Sequence, residues 1–462
     1  MKPISKSVFR AYDLRGVVDK DMDGDWVETL GRACGAYFLR HGQTSAVVGH
    51  DCRLSSPEYQ QRLAAGLAAA GLDVICLGMV PTPVFYFACK HLGKKAGVMI
   101  TASHNPPEYN GFKVWCGEST IHTAEIDALF ALMAAGEFPA GRGVISQHNI
   151  VPMYLDHLAA QVPEPLDVKV VVDGGNGAGG LICKELLERI GCTVVPLYCE
   201  PDGRFPNHHP DPVIEKYIGD LKAAVVETGA DFGAGLDGDA DRLGVVDETG
   251  ALMYGDQLLA IYARDMLRDF PGAMVIGEVK CSHLLYKDIA AHGGEPLMWI
   301  TGHSMIKAKM AETGARLAGE MSGHMFFADR YFGFDDGIYS ALRIAQIVAA
   351  NKRQGLPLSR VLADWPRTAN TPELRVDCAD DRKFAVVEQA KTYFKAQGYD
   401  VNDVDGVRLT FPDGWALMRA SNTQPSLVLR FEAESPARLA EYRALVEGKL
   451  ADWIGELKDS VH

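Results

Sequence analysis

The chain has 462 residues, more than one hydrophobic core can organise and enough for roughly three or four domains. Hydrophobic residues make up 47% and charged residues 23%, which excludes a disordered chain. A formal charge of −14 weighs against broad binding to nucleic acid or anionic membranes, so any anionic ligand needs individually placed Arg and Lys.

Met1 to Gly16 has no apolar h-region, and no signal peptide is expected. Phe9-Arg10-Ala11-Tyr12-Asp13-Leu14-Arg15-Gly16 brings two arginines and a tyrosine beside a glycine. Arg15 has the fork geometry to hold a phosphate, although alone it reads as a solvated surface arginine. Leu63 to Cys89 carries one charge, Asp73, but Gly66, Gly71, Gly78, Pro81 and Pro83 interrupt it. It is expected to form a helix, a strand and a turn rather than a membrane span. The ten cysteines include no Cys-x-x-Cys pair, which predicts reduced thiols in the cytoplasm rather than zinc or disulfides.

One pattern recurs three times. Ala46 to Asp51 predicts a strand, Pro57 to Ala70 a helix, Val74 to Gly78 a second strand, and Ala96 to Ile100 a third. The second copy has strands at Val168 to Asp173, Thr193 to Leu197 and Asp231 to Leu236, with a helix near Leu181 to Ile190. The third has strands at Ala273 to Gly277, Pro296 to Ile300 and Ala315 to Gly319. Short apolar strands alternating with helices imply βαβ units and largely parallel sheets. After Trp365, strands near Glu373, Gly406, Trp415 and Leu427 and helices at Asp381 to Ala396 and Pro436 to Leu457 favour an antiparallel α+β domain. The expected fold is three similar mixed α/β domains plus a C-terminal α+β domain around a central cleft. The joints are placed to give 1–150, 151–252, 253–365 and 366–462.

Each third strand ends in a polar loop, at the carboxyl end where α/β sheets collect binding groups. The first is Thr101-Ala102-Ser103-His104-Asn105-Pro106. Asp237-Gly238-Asp239-Ala240-Asp241-Arg242, the second, crowds three carboxylates that repel one another unless a cation neutralises them. Hard oxygen ligands suit Mg²⁺. An EF-hand is rejected, because Arg242 stands where its glycine belongs and Leu243 to Val246 reads as a strand. The third loop is Gly319-Glu320-Met321-Ser322-Gly323-His324; an extended backbone would turn Glu320, Ser322 and His324 to one side. Arg419-Ala420-Ser421-Asn422-Thr423-Gln424-Pro425 serves equally as a hairpin loop or as a phosphate cradle. Gly175-Asn176-Gly177-Ala178-Gly179-Gly180 matches G-x-G-x-x-G and supports a dinucleotide-dependent oxidoreductase. Asp173 ahead of it would repel a pyrophosphate, so a tightly packed strand-to-helix turn is preferred.

Taken together and in this order, the three loops resemble those of the α-D-phosphohexomutases, most closely the bacterial phosphomannomutase/phosphoglucomutase enzymes. The resemblance runs from Phe9-Arg10-Ala11-Tyr12-Asp13 to Arg419-Ala420-Ser421-Asn422-Thr423. It implies an isomerase in which Ser103 carries a phosphoryl group. Asp237, Asp239 and Asp241, with that phosphoryl group, would bind Mg²⁺. The phosphoryl would pass to the free 1- or 6-oxygen of mannose or glucose phosphate, and a bound hexose 1,6-bisphosphate would return its other phosphate to Ser103. Residue by residue, Glu320 and Ser322 match sugar contacts. Arg419, Ser421, Asn422 and Thr423 match the site for the phosphate that stays in place. Arg15, Lys113, His303 and His324 match groups that assist proton transfer or hold phosphate, and Tyr12, Arg242 and Lys280 match further cleft positions. Gly49-His50-Asp51-Cys52-Arg53 departs from the family's usual Gly-Arg-Asp-x-Arg and, lying outside the central loops, is expected to bear little on the chemistry. Met321 resembles the mannose/glucose enzymes, with phosphoglucosamine mutase as the nearest alternative. A silent sugar-phosphate-binding protein is a third reading. The expected partners are phosphosugars, with no nucleic acid and no membrane, and the expected state is a cytoplasmic monomer.

Overall fold

The computed structural model describes residues 1–421 and 425–459. Four sheets follow one another along the chain, of seven, five, four and six strands. In the first, Ser45–His50 lies parallel to both Asp73–Met79 and Ala96–Ile100. In the second, Lys169–Asp173 lies parallel to Thr193–Leu197 and Phe232–Leu236. The third repeats the arrangement with Met274–Glu278 between Glu295–Trp299 and Leu317–Gly319. These nine strands fall where the apolar runs predict them; the central ones are buried on both faces and written as continuous apolar runs, while the edge strands Thr193–Leu197 and Glu295–Trp299 are half-buried to exposed.

Each of the three sheets also gains a strand that the repeat did not predict. Ala96–Ile100 turns back into Tyr109–Cys116, Phe232–Leu236 into Leu243–Asp247, and Leu317–Gly319 into Met325–Phe327, all antiparallel. The polar loops are therefore hairpin connections. Both of their ends are pinned in a sheet, which holds a loop far more tightly than a crossover to a distant strand does.

The stretch from Leu63 to Cys89 corrects the expectation of a closing turn. Its last part is the helix Thr82–His91, with Pro83 in the first turn, where a missing N–H leaves nothing unsatisfied. Among the described residues no helix is long and apolar enough to cross a membrane.

The fourth sheet is antiparallel throughout its described pairings, with Gly414–Ala420 between Val407–Phe411 and Ser426–Ala433. Helices Lys383–Ala396 and Pro436–Asp459 cover it. Its core, built around Val386, Phe394, Leu429, Phe431 and Trp453, is separate from the large core under the earlier sheets. The join to the third domain combines an apolar contact of Val279 with Trp415 and Leu417 and polar bonds. Arg408 lies over the Trp415 ring, 3.9 Å from its centroid, and donates to the carbonyl of Cys281 at 2.9 Å.

Candidate active site

Ser103 sits at the end of Ala96–Ile100 in a left-handed conformation, φ 50°, unusual for a residue with a Cβ. The surrounding bonds hold it there. Its N–H donates to Thr101 Oγ1 at 2.9 Å. The Arg53 guanidinium donates to the carbonyls of Ser103, Asn105, Pro106 and Tyr109 at 2.6–2.9 Å, and its Nε to Asp51 at 3.2 Å. Arg53 has no exposed side-chain surface, so this fork is a rigid internal brace. The stretch from Gly49 to Arg53 thus supports the serine loop through Arg53, which keeps the family pattern, and the departure from that pattern is at His50. His50 turns instead to the carbonyl of Asp51, at 2.7 Å.

Ser103 Oγ donates to Asp237 Oδ2 at 2.6 Å. The approach depends on Gly238, where an added Cβ would fall 2.5 Å from the Ser103 carbonyl oxygen. Asp237, Asp239 and Asp241 are all fully buried, and one oxygen from each lies within 4.8 Å of the others. Ala240, at φ 57°, helps bend the loop so that alternate carboxylates converge. Lys113, in the middle of Tyr109–Cys116, reaches across to Asp239 Oδ2 at 2.7 Å and to Asp241. Thr82 Oγ1 donates to the same Asp239 oxygen at 2.5 Å. Asp239 Oδ1 has no hydrogen-bond partner among the described residues.

Burial pushes Asp237 well above the ordinary carboxylate range, and the charges of Asp239 and Asp241 push it further. Burial also raises Asp239 and Asp241, but Lys113 with the Thr82 hydrogen bond brings Asp239 below its ordinary value, and Lys113, His324 and Arg242 together hold Asp241 well below it. The site thus packs three carboxylates against Lys113, with His324 beside Asp241 and Arg242 beside Asp237, and leaves Asp239 Oδ1 unpaired among the described residues. That donor set fits a hard divalent cation with an anionic partner on Ser103.

The third-sheet loop closes on the same place. It is a tight turn rather than an extended segment: Glu320 N donates to the His324 carbonyl at 3.0 Å and Gly323 has φ 91°. The turn still gathers the predicted side chains, with His324 Nδ1 at 2.8 Å from Glu320 Oε2 and 3.0 Å from Ser322 Oγ. His324 Nε2 lies 3.2 Å from Asp241 Oδ1 and 3.3 Å from Arg242 Nε. Burial lowers the His324 imidazole, but the Asp241 and Glu320 carboxylates outweigh it and push it up to about 9. His303 behaves in the opposite way: burial, with Lys307 and Lys113, holds it well below its ordinary value. Its ring packs edge-on against Tyr12, 5.0 Å between centroids, and lies 5.5 Å from that of His324.

Arg15 donates to Asp13 at 2.8 Å and to Asn105, in the serine loop, at 2.6 Å. Lys280 pairs with Glu278 and Glu373 at 3.5 and 3.3 Å. On the fourth domain Arg419 Nε donates to Asp405 at 2.9 Å, while its Nη2 is buried without a hydrogen-bond partner among the described residues. Ser421 is buried beside it, its N–H donating to Ser426. Asn422 and Thr423 lie outside the described residues.

Several contributors were missed in the sequence. His104 Nδ1 lies 3.0 Å from Ser103 Oγ, and burial with Arg242 and Arg15 keeps that imidazole well below its ordinary value. Glu278 accepts from Lys280 N, Thr301 Oγ1 and Met321 N at 2.8–3.2 Å, tying three loops together. Its place at the end of a strand, two residues before Lys280, was the available signal. The glycine-rich turn 175–180 packs against the Asp loop, with Ala178 N donating to the carbonyl of Gly238 at 3.0 Å. Asp173 already accepts from Gly175 N and lies 3.0 Å from His208 Nε2, so the packing reading of this turn holds.

Comparison with known proteins gives the same outline. The domain families described as phosphoglucomutase/phosphomannomutase, alpha/beta/alpha domains I, II and III, match residues 6–140, 152–250 and 254–368. The C-terminal domain of the same family matches residues 373–449. A phosphomannomutase/phosphoglucomutase of Pseudomonas aeruginosa is 45% identical over 444 residues, 96% of this chain and 95% of the relative. A solved structure of a phosphoglucomutase/phosphomannomutase family protein from Burkholderia thailandensis is 41% identical and superposes with a TM-score of 0.92, covering 98% of both chains. An Aspergillus fumigatus N-acetylphosphoglucosamine mutase in complex with GlcNAc-6P and magnesium, 16% identical, has a TM-score of 0.61 over 98% of this chain and 99% of its own, and shares the fold alone. With all four domain families matched in order, the chain belongs to the phosphoglucomutase/phosphomannomutase family of α-D-phosphohexomutases.

Proposed function

We propose that the chain interconverts 1-phospho and 6-phospho hexoses, glucose and mannose among them, with Ser103 as the phosphoryl carrier. The observation that carries this reading is the 2.6 Å contact between Ser103 Oγ and Asp237 within a ring of three buried carboxylates. Asp237, Asp239 and Asp241 would hold Mg²⁺, and the magnesium complex of the distant Aspergillus mutase supports that choice. When bound, the ion supplies charge neutralisation for the phosphoryl group on Ser103.

The chain's own residues do the rest. The Arg53 brace fixes the Ser103 loop, so little reorganisation is needed as phosphoryl leaves or returns. The sugar's free hydroxyl gives up its proton and attacks phosphorus, the bond from phosphorus to Ser103 Oγ breaks, and a hexose 1,6-bisphosphate results. After reorientation the second phosphate is transferred to Ser103, leaving the isomeric monophosphate. Arg15, Lys113 and Arg242 supply positive charge around the transferring group, Glu320 and Ser322 take sugar hydroxyls, and His303 and His324 are the proton-handling candidates. The buried, unpaired Nη2 of Arg419 suits the phosphate that is not transferred. Tyr12 and Lys280 line the same space, with Ser421 beside Arg419 and Asn422 and Thr423 following it in sequence.

All the loops come from one chain, which supports a monomer with domain joints near Ile150, Leu252 and Trp365. Ten free cysteines support a reducing, cytoplasmic setting. The reading is tested by kcat/KM for glucose 1-phosphate, mannose 1-phosphate and glucosamine 1-phosphate, with Mg²⁺ and the matching bisphosphate as activator. Comparable turnover of the first two supports it. Strong preference for the amino sugar moves the chain to phosphoglucosamine mutase activity, and silence on all three overturns it.

A further inference from the structure

The turn that precedes Val407–Phe411 places one carboxylate between two domains. Asp405 Oδ2 accepts from Arg419 Nε at 2.9 Å, within the fourth domain. The same oxygen accepts from the backbone N–H of Thr301 at 2.9 Å, in the third. Gly406, at φ 88°, makes this placement possible: a Cβ there would come within 2.4 Å of the Met418 carbonyl and 2.7 Å of Arg419 Cβ. The turn is thereby pressed onto the backbone of the arginine it serves.

Thr301 is itself a junction. Its hydroxyl donates to Glu278 Oε2 at 2.8 Å, and Glu278 in turn holds Met321 N in the Glu-Met-Ser turn. The next amide, Gly302 N, donates to Glu320 Oε1 at 2.7 Å. Successive N–H groups of one short loop thus go to Asp405 on the fourth domain and to Glu320 beside the sugar position. The loop can do this because Gly302 adopts φ 136°, open to glycine and rarely to other residues.

We propose that Asp405 is a positioning residue that aims Arg419 at the non-transferred phosphate and fastens that phosphate site to the sugar-recognition loop of the third domain. The inference rests on the reading of Arg419 as a phosphate contact. By occupying Nε, Asp405 fixes the plane of the guanidinium, while the neighbouring Nη2 has no partner among the described residues and is left for an anion. A bond to Nε alone would only steady the arginine. The second bond, to Thr301, makes the distance between the phosphate site and the Glu320 turn a fixed property of this domain arrangement.

Asp405→Asn can set its amide oxygen where Oδ2 stands, keeping both hydrogen bonds and losing only the charge, whereas Asp405→Ala removes both partners' acceptor. Binding to a phosphate that does not react is the same in the ground and transition states, so its loss raises KM and spares kcat. Asp405→Ala is expected to raise KM for glucose 1-phosphate about tenfold or more and Asp405→Asn by less, with kcat within about twofold of wild type in both. Thermal unfolding checks that each variant is folded. Because Asp405 acts through Arg419, adding Asp405→Ala to Arg419→Ala is expected to change KM by less than about twofold. A merely structural role would instead multiply the two effects. Unchanged KM in the Asp405 variants, a fall in kcat at fixed KM, or multiplicative losses in the double variant overturns the proposal. If Arg419→Ala alone leaves KM unchanged, the phosphate reading of Arg419 falls first and this inference falls with it.

Discussion

Ser103 Oγ and Asp237 Oδ2 meet at 2.6 Å although the two residues belong to different sheets. Neither loop reaches the other by chance. Arg53 braces the first from below, and Gly238 lets the second come against its backbone. A hydroxyl held against a buried carboxylate that is raised by its neighbours is well placed to exchange a proton for a phosphoryl group.

Removing that hydroxyl is the sharpest test of the carrier role. Ser103→Ala is expected to lower kcat at least about 1,000-fold while leaving equilibrium binding of glucose 1-phosphate measurable by calorimetry. Turnover near the wild-type rate would remove Ser103 from the chemistry.

Metal removal addresses the carboxylate ring. EDTA should bring turnover to background and Mg²⁺ should restore it. Asp239→Asn takes away one charge and the oxygen that receives Lys113 and Thr82, and should demand a higher Mg²⁺ concentration for half-maximal rate. Full activity in excess EDTA would show that these three aspartates serve another purpose.

The brace under the serine loop should carry both stability and rate. Arg53→Lys keeps the charge but cannot reproduce five donations from one planar fork. Several carbonyls and Asp51 then lose partners in a buried setting, for an expected loss of about 3 kcal/mol in urea unfolding. kcat should fall as well, because the Ser103 loop is no longer fixed. A variant with wild-type stability and rate would show that the loop holds its shape unaided.

A pH test applies to the packing behind the Asp loop. His208 Nε2 lies 3.0 Å from Asp173 Oδ2, next to the glycine-rich turn. Burial lowers this imidazole, but the hydrogen bond and charge of Asp173 outweigh it, and the folded value lies above the ordinary one. The bonus is therefore fully present below the unfolded value of about 6.5, and it is lost as pH rises through the folded value. The stability difference between wild type and His208→Gln should be about 1–2 kcal/mol at pH 6 and smaller at pH 9. A difference that grows with pH would contradict the pairing.

The parallel strands were legible because burial on both faces writes an unbroken apolar run, as in Val170 to Val172. Of the three antiparallel returns, Leu243 to Val246 read as a strand and the other two did not. Tyr109–Cys116 carries Asn110 and Lys113 among its buried positions, and polar residues there hide a strand from any search for apolar runs. The residues with a place in the site were found where a loop concentrates one kind of chemistry, as Asp237, Asp239 and Asp241 do. Arg53, Glu278 and Asp405 were not found, because each acts through backbone groups or a partner distant in sequence. Such contacts exist only once the chain is folded, and apart from the strand-end place of Glu278, two residues before Lys280, the local spelling does not announce them. The Glu320 turn shows a middle case: its side chains converge as predicted, but through a tight turn at Gly323 rather than an extended segment.

The most direct test of the central claim is to follow the phosphoryl group itself. The protein, first stripped of phosphate, is incubated with Mg²⁺ and glucose 1,6-bisphosphate labelled in its phosphates, and its peptides are then mapped by mass spectrometry. The account predicts one labelled site, Ser103, whose label leaves when unlabelled glucose 1-phosphate or glucose 6-phosphate is added. Label on another residue, or no transferable label in a preparation that still turns over substrate, would contradict it.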